Sequence, residues 1–474
     1  MRQRPESSFV RRHTHSIMKS QHKCIVIFAL VCCCALLIAL IFSAVDVWGD
    51  DEDGITVDKC SRTCRVVLVE NIPEDLSIPY KDTVSLTAGL HELLDKARRS
   101  VEIVSPWWAL NSTTSGSNLP QAKQGQILLH QLKSLRSRSV SLRVASGLTD
   151  SNWTNSELEA LTRSGADVHY LNMTALSRGQ LSSSFWLVDR KHMYIGSAGM
   201  DWRSLSTMKE FGIIIHDCSC LVLDLHRIFS LYWQLQYKDF LPSIWSKRLY
   251  ALYNGDEALQ LRLDDTEAEA YISSSPDVFC PKDRVKDIEA IKSVIQEAKT
   301  FIYISIPDYL PMLNRSKPKY WSLIDSMLRE ALILKGKLDV RVLISCGDET
   351  EPLTRNFLWS LRALCVESLR CSLEAKFFVP RERSDGRLSR ISRSRFMVTD
   401  SSVYLGNLNW LGNELAFSAG VGVVIRQRLS ENITVVERVK AVFERDWHSH
   451  YTKTLDPHQI PVCSTHTVKD NTSA

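Results

Sequence analysis

Phe185-Trp186-Leu187-Val188-Asp189-Arg190-Lys191-His192-Met193-Tyr194-Ile195-Gly196 and Phe396-Met397-Val398-Thr399-Asp400-Ser401-Ser402-Val403-Tyr404-Leu405-Gly406 follow one plan: an apolar run, a turn opened by aspartate, a second apolar run and a glycine. Short Val/Ile/Tyr/Phe runs bounded by turn residues predict paired strands. Working outward, the match continues. An amphipathic stretch leads into Val101-Glu102-Ile103-Val104 and stops at Pro106; Ala298-Lys299-Thr300 leads into Ile302-Tyr303-Ile304 and stops at Pro307, an offset of 201 residues. Likewise Ser141–Gly147 matches Asp339–Gly347, each behind a leucine-rich helical stretch. Strands alternating with helices predict parallel or mixed sheets covered by helices. A period this long means a duplicated domain rather than a solenoid. The expected fold is α/β: two homologous halves, 65–250 and 251–463, packed as a pseudo-dimer.

Ahead of the halves, Cys24–Val45 holds 22 residues without a charge. As a helix it spans about 33 Å, enough for a hydrocarbon core of about 30 Å. A cleaved signal peptide has a shorter apolar core, roughly 7–15 residues, so an uncleaved anchor is the better reading. Arg2, Arg4, Arg11, Arg12, Lys19 and Lys23 precede the span, whereas Asp46, Asp50, Asp51, Glu52 and Asp53 follow it. The positive-inside rule then gives a cytosolic tail (1–23), a transmembrane signal anchor (24–45), a lumenal stalk (46–64) and, after the halves, a C-terminal tail (464–474). The bulk of the chain is expected in the lumen of the secretory or endolysosomal system. Six glycosylation sequons agree with that side: Asn111, Asn152, Asn172, Asn314, Asn432 and Asn471. So do nine cysteines beyond the anchor, an odd number that leaves at least one thiol without an internal partner. Cys60/Cys64 and Cys218/Cys220 form tight clusters that an oxidising lumen allows to bridge, and their spacing does not suit zinc. The net charge of +4 is too small to imply a polyanionic partner.

The repeated stretches resemble the phospholipase D superfamily. Each half of such a protein carries His-X-Lys-(X)4-Asp followed by a Gly-Ser-X-Asn-like turn, and the two motifs meet between the halves. The resemblance implies that one histidine attacks phosphorus, the other protonates the leaving oxygen and the lysines neutralise phosphoryl charge, with no metal or other cofactor. Here Asp189 and Asp400 keep the aspartate positions of degenerate motifs at 182–204 and 393–413. Ser182 and Arg393 stand where the family has histidine, Ser184 and Arg395 where it has lysine, and Gly199 replaces the turn asparagine of the first half. None of the 13 histidines is followed two positions later by lysine. Serine without a base does not attack phosphorus, and arginine, with a pKa of about 12 or above, does not exchange protons near neutrality.

Gly196–Ser204, Lys209-Glu210, Cys218-Ser219-Cys220 and Trp410–Asn413 resemble the type II, lumenal branch of the superfamily, whose active members are lysosomal 5′ exonucleases; within it the chain is similar to a catalytically inactive member. The resemblance covers about residues 60–460. It implies disulfides between the 60/64 and 218/220 clusters and between Cys346 and Cys463, and assigns no partner to Cys280, Cys365 or Cys371.

The resulting expectation is a pseudoenzyme, membrane-anchored and glycosylated, that binds a partner protein or a phosphate-containing ligand, with homodimerisation and nucleic acid left open as further partners. The rival is a residual phosphodiesterase or exonuclease with a displaced nucleophile. Arg393 and Arg395 are the candidate phosphate-binding residues; pairing with nearby acids is the alternative. Trp107, Trp108, Trp186, Trp202 and Trp410 read as core packing before base stacking, Arg143 and Arg341 as ion-paired strand residues, and His192 as a packing residue.

Overall fold

A computed structural model describes residues 26, 28–37, 60–111, 120–148, 155–236, 238–314, 317–347, 350–366, 370–379, 391–427, 432–455 and 463. Residues 28–37 are helical and exposed. The rest of the expected anchor, the tail 1–23, stalk residues 46–59 and the tail 464–474 lie outside the described residues. Among the described residues no helix is long and apolar enough to cross a membrane.

The body of the chain carries two large mixed sheets of one design. In the first, the strand order is Val84–Ser85, Arg65–Asn71, Glu210–His216, His192–Gly196, Phe185–Val188, Ser100–Ser105, Ser141–Gly147, Asp167–Leu171. The second repeats all eight of these places as Val285–Lys286, Thr266–Ser275, Gly420–Arg426, Ser402–Gly406, Phe396–Thr399, Phe301–Ile306, Asp339–Ser345 and Ser372–Phe378. Leu259–Leu263 and Thr452–Thr454 add an edge strand at either side. In both sheets the central strand runs parallel to one neighbour (Ser100–Ser105 beside Ser141–Gly147; Phe301–Ile306 beside Asp339–Ser345) and antiparallel to the first strand of the hairpin. These strands are buried almost throughout, so they read as continuous apolar runs, not alternating ones.

The helices obey the same repeat. Leu86–Lys96 buries Gly89, Leu90, Leu93 and Leu94; Asp287–Glu297 buries Ala290, Ile291, Val294 and Ile295. Both sets fall at i, i+1, i+4, i+5, one apolar stripe facing a sheet. Each half thus has its own core, one around Leu90, Ile103, Val144 and Trp186, the other around Ile291, Ile304, Val342 and Tyr404.

Asp189 and Asp400 explain why the hairpins sit where they do. Asp189, in a left-handed turn at φ 53°, accepts backbone hydrogen bonds from Arg98, Arg99 and Ser100 at 2.7–2.9 Å. Asp400 accepts from Lys299 and Thr300 at 2.8 and 3.0 Å. Each carboxylate clips the tip of its hairpin to the start of the central strand. For Asp400, burial pulls the pKa up, but the Thr300 and Lys299 N–H groups hold it below the ordinary carboxylate value.

Disulfides join Cys60 to Cys220, Cys64 to Cys218 and Cys346 to Cys463. Cys365 and Cys371, which the sequence left without partners, pair with each other, and Cys280 is a free thiol. Burial pushes the Cys280 pKa up to about 12, so it stays a thiol.

Candidate functional site

The two degenerate motifs meet because each half lends the other a strand edge. Ser182 N–H donates to Ala419 O at 2.8 Å, and Arg393 N–H donates to Lys209 O at 2.7 Å, the same contact made once in each direction. Phe211 and Phe396 pack in a tilted pair across this seam, 4.7 Å between centroids. The seam sets Arg393 beside Glu210, the residue after Lys209, and Ser182 close to Glu414.

The four working positions hold these groups. Ser184 Oγ donates to Ala198 O at 2.5 Å and is buried, spent on backbone. Ser182 Oγ lies 3.5 Å from Glu414 Oε1, a weak contact with a carboxylate where the family has an imidazole. Arg395 donates from Nε to Asn409 Oδ1 at 2.8 Å. Arg393 lies over the Trp107 ring, 5.5 Å from its centroid, in cation–π geometry. Trp107 remains 38% exposed at the rim, and its indole lines the space above Gly199.

Two carboxylates complete the site, neither singled out as functional by the sequence reading. Glu210 is 0% exposed; its Oε2 accepts from Ser197 Oγ at 2.5 Å and its Oε1 has no hydrogen-bond partner. Burial pushes its pKa up, opposed chiefly by Arg393 and then by the Ser197 hydroxyl and Arg395. Burial likewise raises Glu414, opposed first by Arg395. Glu210 was visible only as part of the Lys209-Glu210 pair, and Glu414 follows the Trp410–Asn413 run by one residue. Position 204 is the first-half counterpart of 414, where Ser204 stands, so comparing the halves residue by residue would have exposed the odd acid.

Beneath the seam lies a second charged group. Lys209 Nζ contacts Asp446 at 2.6 Å and Glu70 at 3.8 Å, while Arg445 grips Glu70 at 2.6 and 2.8 Å. All four are buried or nearly so, and two acids match two bases across the halves. Arg284 of the second half also forks onto Asp224 of the first at 2.6 and 2.9 Å, with both side chains 0% exposed.

The other sequence candidates fall outside the site. Trp108, Trp186 and Trp410 are core residues. Arg143 pairs with Glu102 beneath Phe229 and Trp233, and Arg341 lies over Tyr303 and contacts Asp339. His192 is buried and accepts from Asp217 N–H at 3.1 Å. Among the described residues no cluster of His, Cys, Asp or Glu is arranged to hold a metal ion. Of the sequons, Asn152 and Asn471 and the side chain of Asn314 lie outside the described residues; Asn432 is exposed.

Two repeated α/β halves whose degenerate motifs meet at the seam between them define a phospholipase D-type protein, and the chain belongs to the family described as "PLD3/4, PLD-like domain", which matches residues 80–383. Over 467 residues it is 48% identical to the inactive phospholipase D5 of Homo sapiens, covering 96% of this chain and 85% of that protein. It is 36% identical to the 5'-3' exonuclease PLD3 of Xenopus laevis, covering 95% and 94%. Among solved structures, a phosphatidylserine synthase of Haemophilus influenzae matches with a TM-score of 0.52 at 12% identity, over 78% of this chain and 85% of that one, a likeness of fold alone.

Proposed function

We propose that this chain is a catalytically silent member of its family that acts by binding, held to a membrane with both halves in the lumen. The carrying observation is the content of the four working positions: Ser182, Ser184, Arg393 and Arg395 supply neither an attacking imidazole nor a proton donor for the leaving oxygen. Ser184 is committed to Ala198 O, and Ser182 has only a long contact, 3.5 Å, to the Glu414 carboxylate. The resemblance to inactive phospholipase D5 agrees with this reading. The full-length chain is expected to hydrolyse no phospholipid, single-stranded oligonucleotide or dye phosphodiester above buffer. Turnover that disappears on Ser182→Ala would overturn the proposal in favour of a displaced nucleophile.

Membrane attachment rests on Cys24–Val45 and its flanking charges. The disulfides support an oxidising compartment, and Cys60 and Cys64 bolt the end of the stalk to Cys220 and Cys218 at the start of the helix Ser219–Gln234. Glycosylation is compatible with the sequons described. Asn172 caps a helix through Oδ1, accepting from Ala175 N–H, and Asn111 Oδ1 accepts from Gln126. A sugar on the amide nitrogen leaves both oxygen contacts in place. In sealed vesicles, protease should remove a tag placed before Met1 while the glycosylated remainder is protected; the opposite pattern rejects the orientation.

A further inference from the structure

We propose that the first half rests on an anionic lipid surface through the end of its sheet to which the stalk is bolted. The inference rests on the membrane attachment proposed above and adds what the body of the chain does at that membrane.

The net charge of +4 is small, but it is not spread evenly. Arg65, Arg98, Arg99, Arg136, Arg190 and Lys191 are exposed, and backbone contacts bring them to one end of the first sheet. Arg98 and Arg99 donate N–H to Asp189 at the hairpin tip, where Arg190 and Lys191 follow. Arg99 O accepts from Ser141 N–H, and Arg136 lies in the turn just before, its O accepting from Ser139 N–H. Lys191 O accepts from Cys218 N–H, and Cys218 is bonded to Cys64, the neighbour of Arg65. Arg65 and Ser141 open strands five spacings apart in the sheet, so the row is about 24 Å wide. Arg62, in the bolted segment, and Arg138, which donates to the carbonyls of Leu94, Asp95 and Ala97, add to it. Four acids stand among these cations: Asp95, Asp167, Asp217 and Asp189, the last turned inward onto three N–H groups. Asp264, beyond Cys64, is paired with Arg438. Arg65, Arg98, Arg99, Arg136 and Lys191 form no ion pair with another described residue. This end is therefore positive and open to solvent.

The duplication shows that the fold does not need this charge. The second sheet has the same end, with Asp400 clipping Lys299 and Thr300. There Thr300, Ser401 and Ser402 stand where the first half has Arg99, Arg190 and Lys191. The strand registers put Glu269 at the place of Arg65. What sets the first-half end apart is its junction with the stalk, where Cys60 and Cys64 are bonded to Cys220 and Cys218. Fifteen residues lead from Val45, the last of the apolar span, to Cys60, at most about 50 Å of extended chain. A face held this near a bilayer meets lipid at high effective concentration, so weak attraction suffices to seat it. Exposed arginine and lysine supply that attraction toward anionic head groups, over about a Debye length. Charge, place and tether agree on one occupant, the surface of the membrane that holds the chain.

Arginine footprinting of the full-length chain in lipid nanodiscs tests the idea. Discs of phosphatidylcholine alone, or with about 30% phosphatidylglycerol, are treated with phenylglyoxal, and each modified arginine is followed by mass spectrometry. Arg98, Arg99 and Arg136 are expected to react at least about threefold more slowly in the anionic discs, and about 0.5 M salt should remove the difference. Arg178, exposed beside the seam at the opposite end of these strands, should react equally in both. Arg65→Glu/Arg99→Thr/Arg190→Ser/Lys191→Ser installs residues that the second half already carries at these places, which guards against misfolding. In that variant Arg98 and Arg136 should react alike in the two discs. Equal rates in the two discs for the parent chain overturn the inference. If those equal rates are slow and salt raises both, the stalk acids Asp50–Asp53 occupy the face instead. Slowing by a dissolved single-stranded oligonucleotide, with none by anionic lipid, gives the face to a soluble polyanion and also overturns it. A chain that does not co-purify with the disc refutes the anchor and this inference together; one that does, and reacts equally in both discs, refutes this inference alone.

Discussion

His216 ends the strand Glu210–His216 with 1% of its surface exposed, its ring T-stacked on His192 at 5.3 Å between centroids and its Nδ1 3.4 Å from Lys96 Nζ. Burial, then the Lys96 ammonium, then His192, push its pKa down to about 4, and Glu92 offsets only part of this. The unfolded chain, with an ordinary histidine near 6.5, therefore binds a proton in a range where the folded chain does not. The stability contributed by neutral His216 is complete above about pH 6.5 and drains away as pH falls toward about 4. Acid works against this residue while it favours protonation at Glu210 and Glu414, whose pKa values are raised. His216→Phe, which keeps an aromatic ring and loses the proton site, is expected to flatten the fall in urea stability between about pH 7.4 and about pH 5 by on the order of 1–2 kcal/mol. An unchanged slope would show that the fold accommodates the imidazolium.

Elements whose identity rests on local pattern were legible in the sequence. The hairpins Phe185–Gly196 and Phe396–Gly406 pair in matching registers, Phe185 with Ile195 and Phe396 with Leu405. Their apolar runs and aspartate tips announce them, and the 201-residue offset that linked Pro106 to Pro307 also carries Leu90 onto Ile291. Elements outside the repeat gave no such purchase: the strands Leu259–Leu263 and Thr452–Thr454 have no counterpart in the first half to betray them. The site was half legible. Arg393 and Arg395 are located by their place before a hairpin, a property of the neighbouring sequence. Glu210 is brought beside Arg393 by a strand exchange between the halves, a contact set by tertiary packing across more than 180 residues, whereas Glu414 lies in the same half as the arginines. Cys365 and Cys371 were missed for a different reason: a six-residue separation with no partner cluster looks like two stray thiols until the turn after Thr354–Arg362 brings them together.

At the scale of the whole molecule the halves are joined by packing and buried charge, whereas the disulfides among the described residues each close within one half. Cys60–Cys220 and Cys64–Cys218 are nested: both tie the stalk to one helix start, with sequence separations of 160 and 154. A long closed loop costs the unfolded chain far more entropy than a short one, about 5 kcal/mol for a loop of some 150 residues against about 2–3 kcal/mol for one of about 8. Once either bridge is closed, the other closes only the small ring formed by 60–64 and 218–220, so either alone does most of the work of both. Cys60→Ser/Cys220→Ser and Cys64→Ser/Cys218→Ser are each expected to lower stability by about 2–3 kcal/mol, and the fourfold serine variant by about 7 kcal/mol, well beyond the sum of the two. Urea unfolding of the full-length chain in detergent, compared at matched slopes, measures all three. Simple additivity would mean that the unfolded chain already keeps the stalk near the helix, so that the long loop costs little to close. An excess restricted to the fourfold variant would identify the pair as one clamp, made double so that the fold survives reduction of either bond.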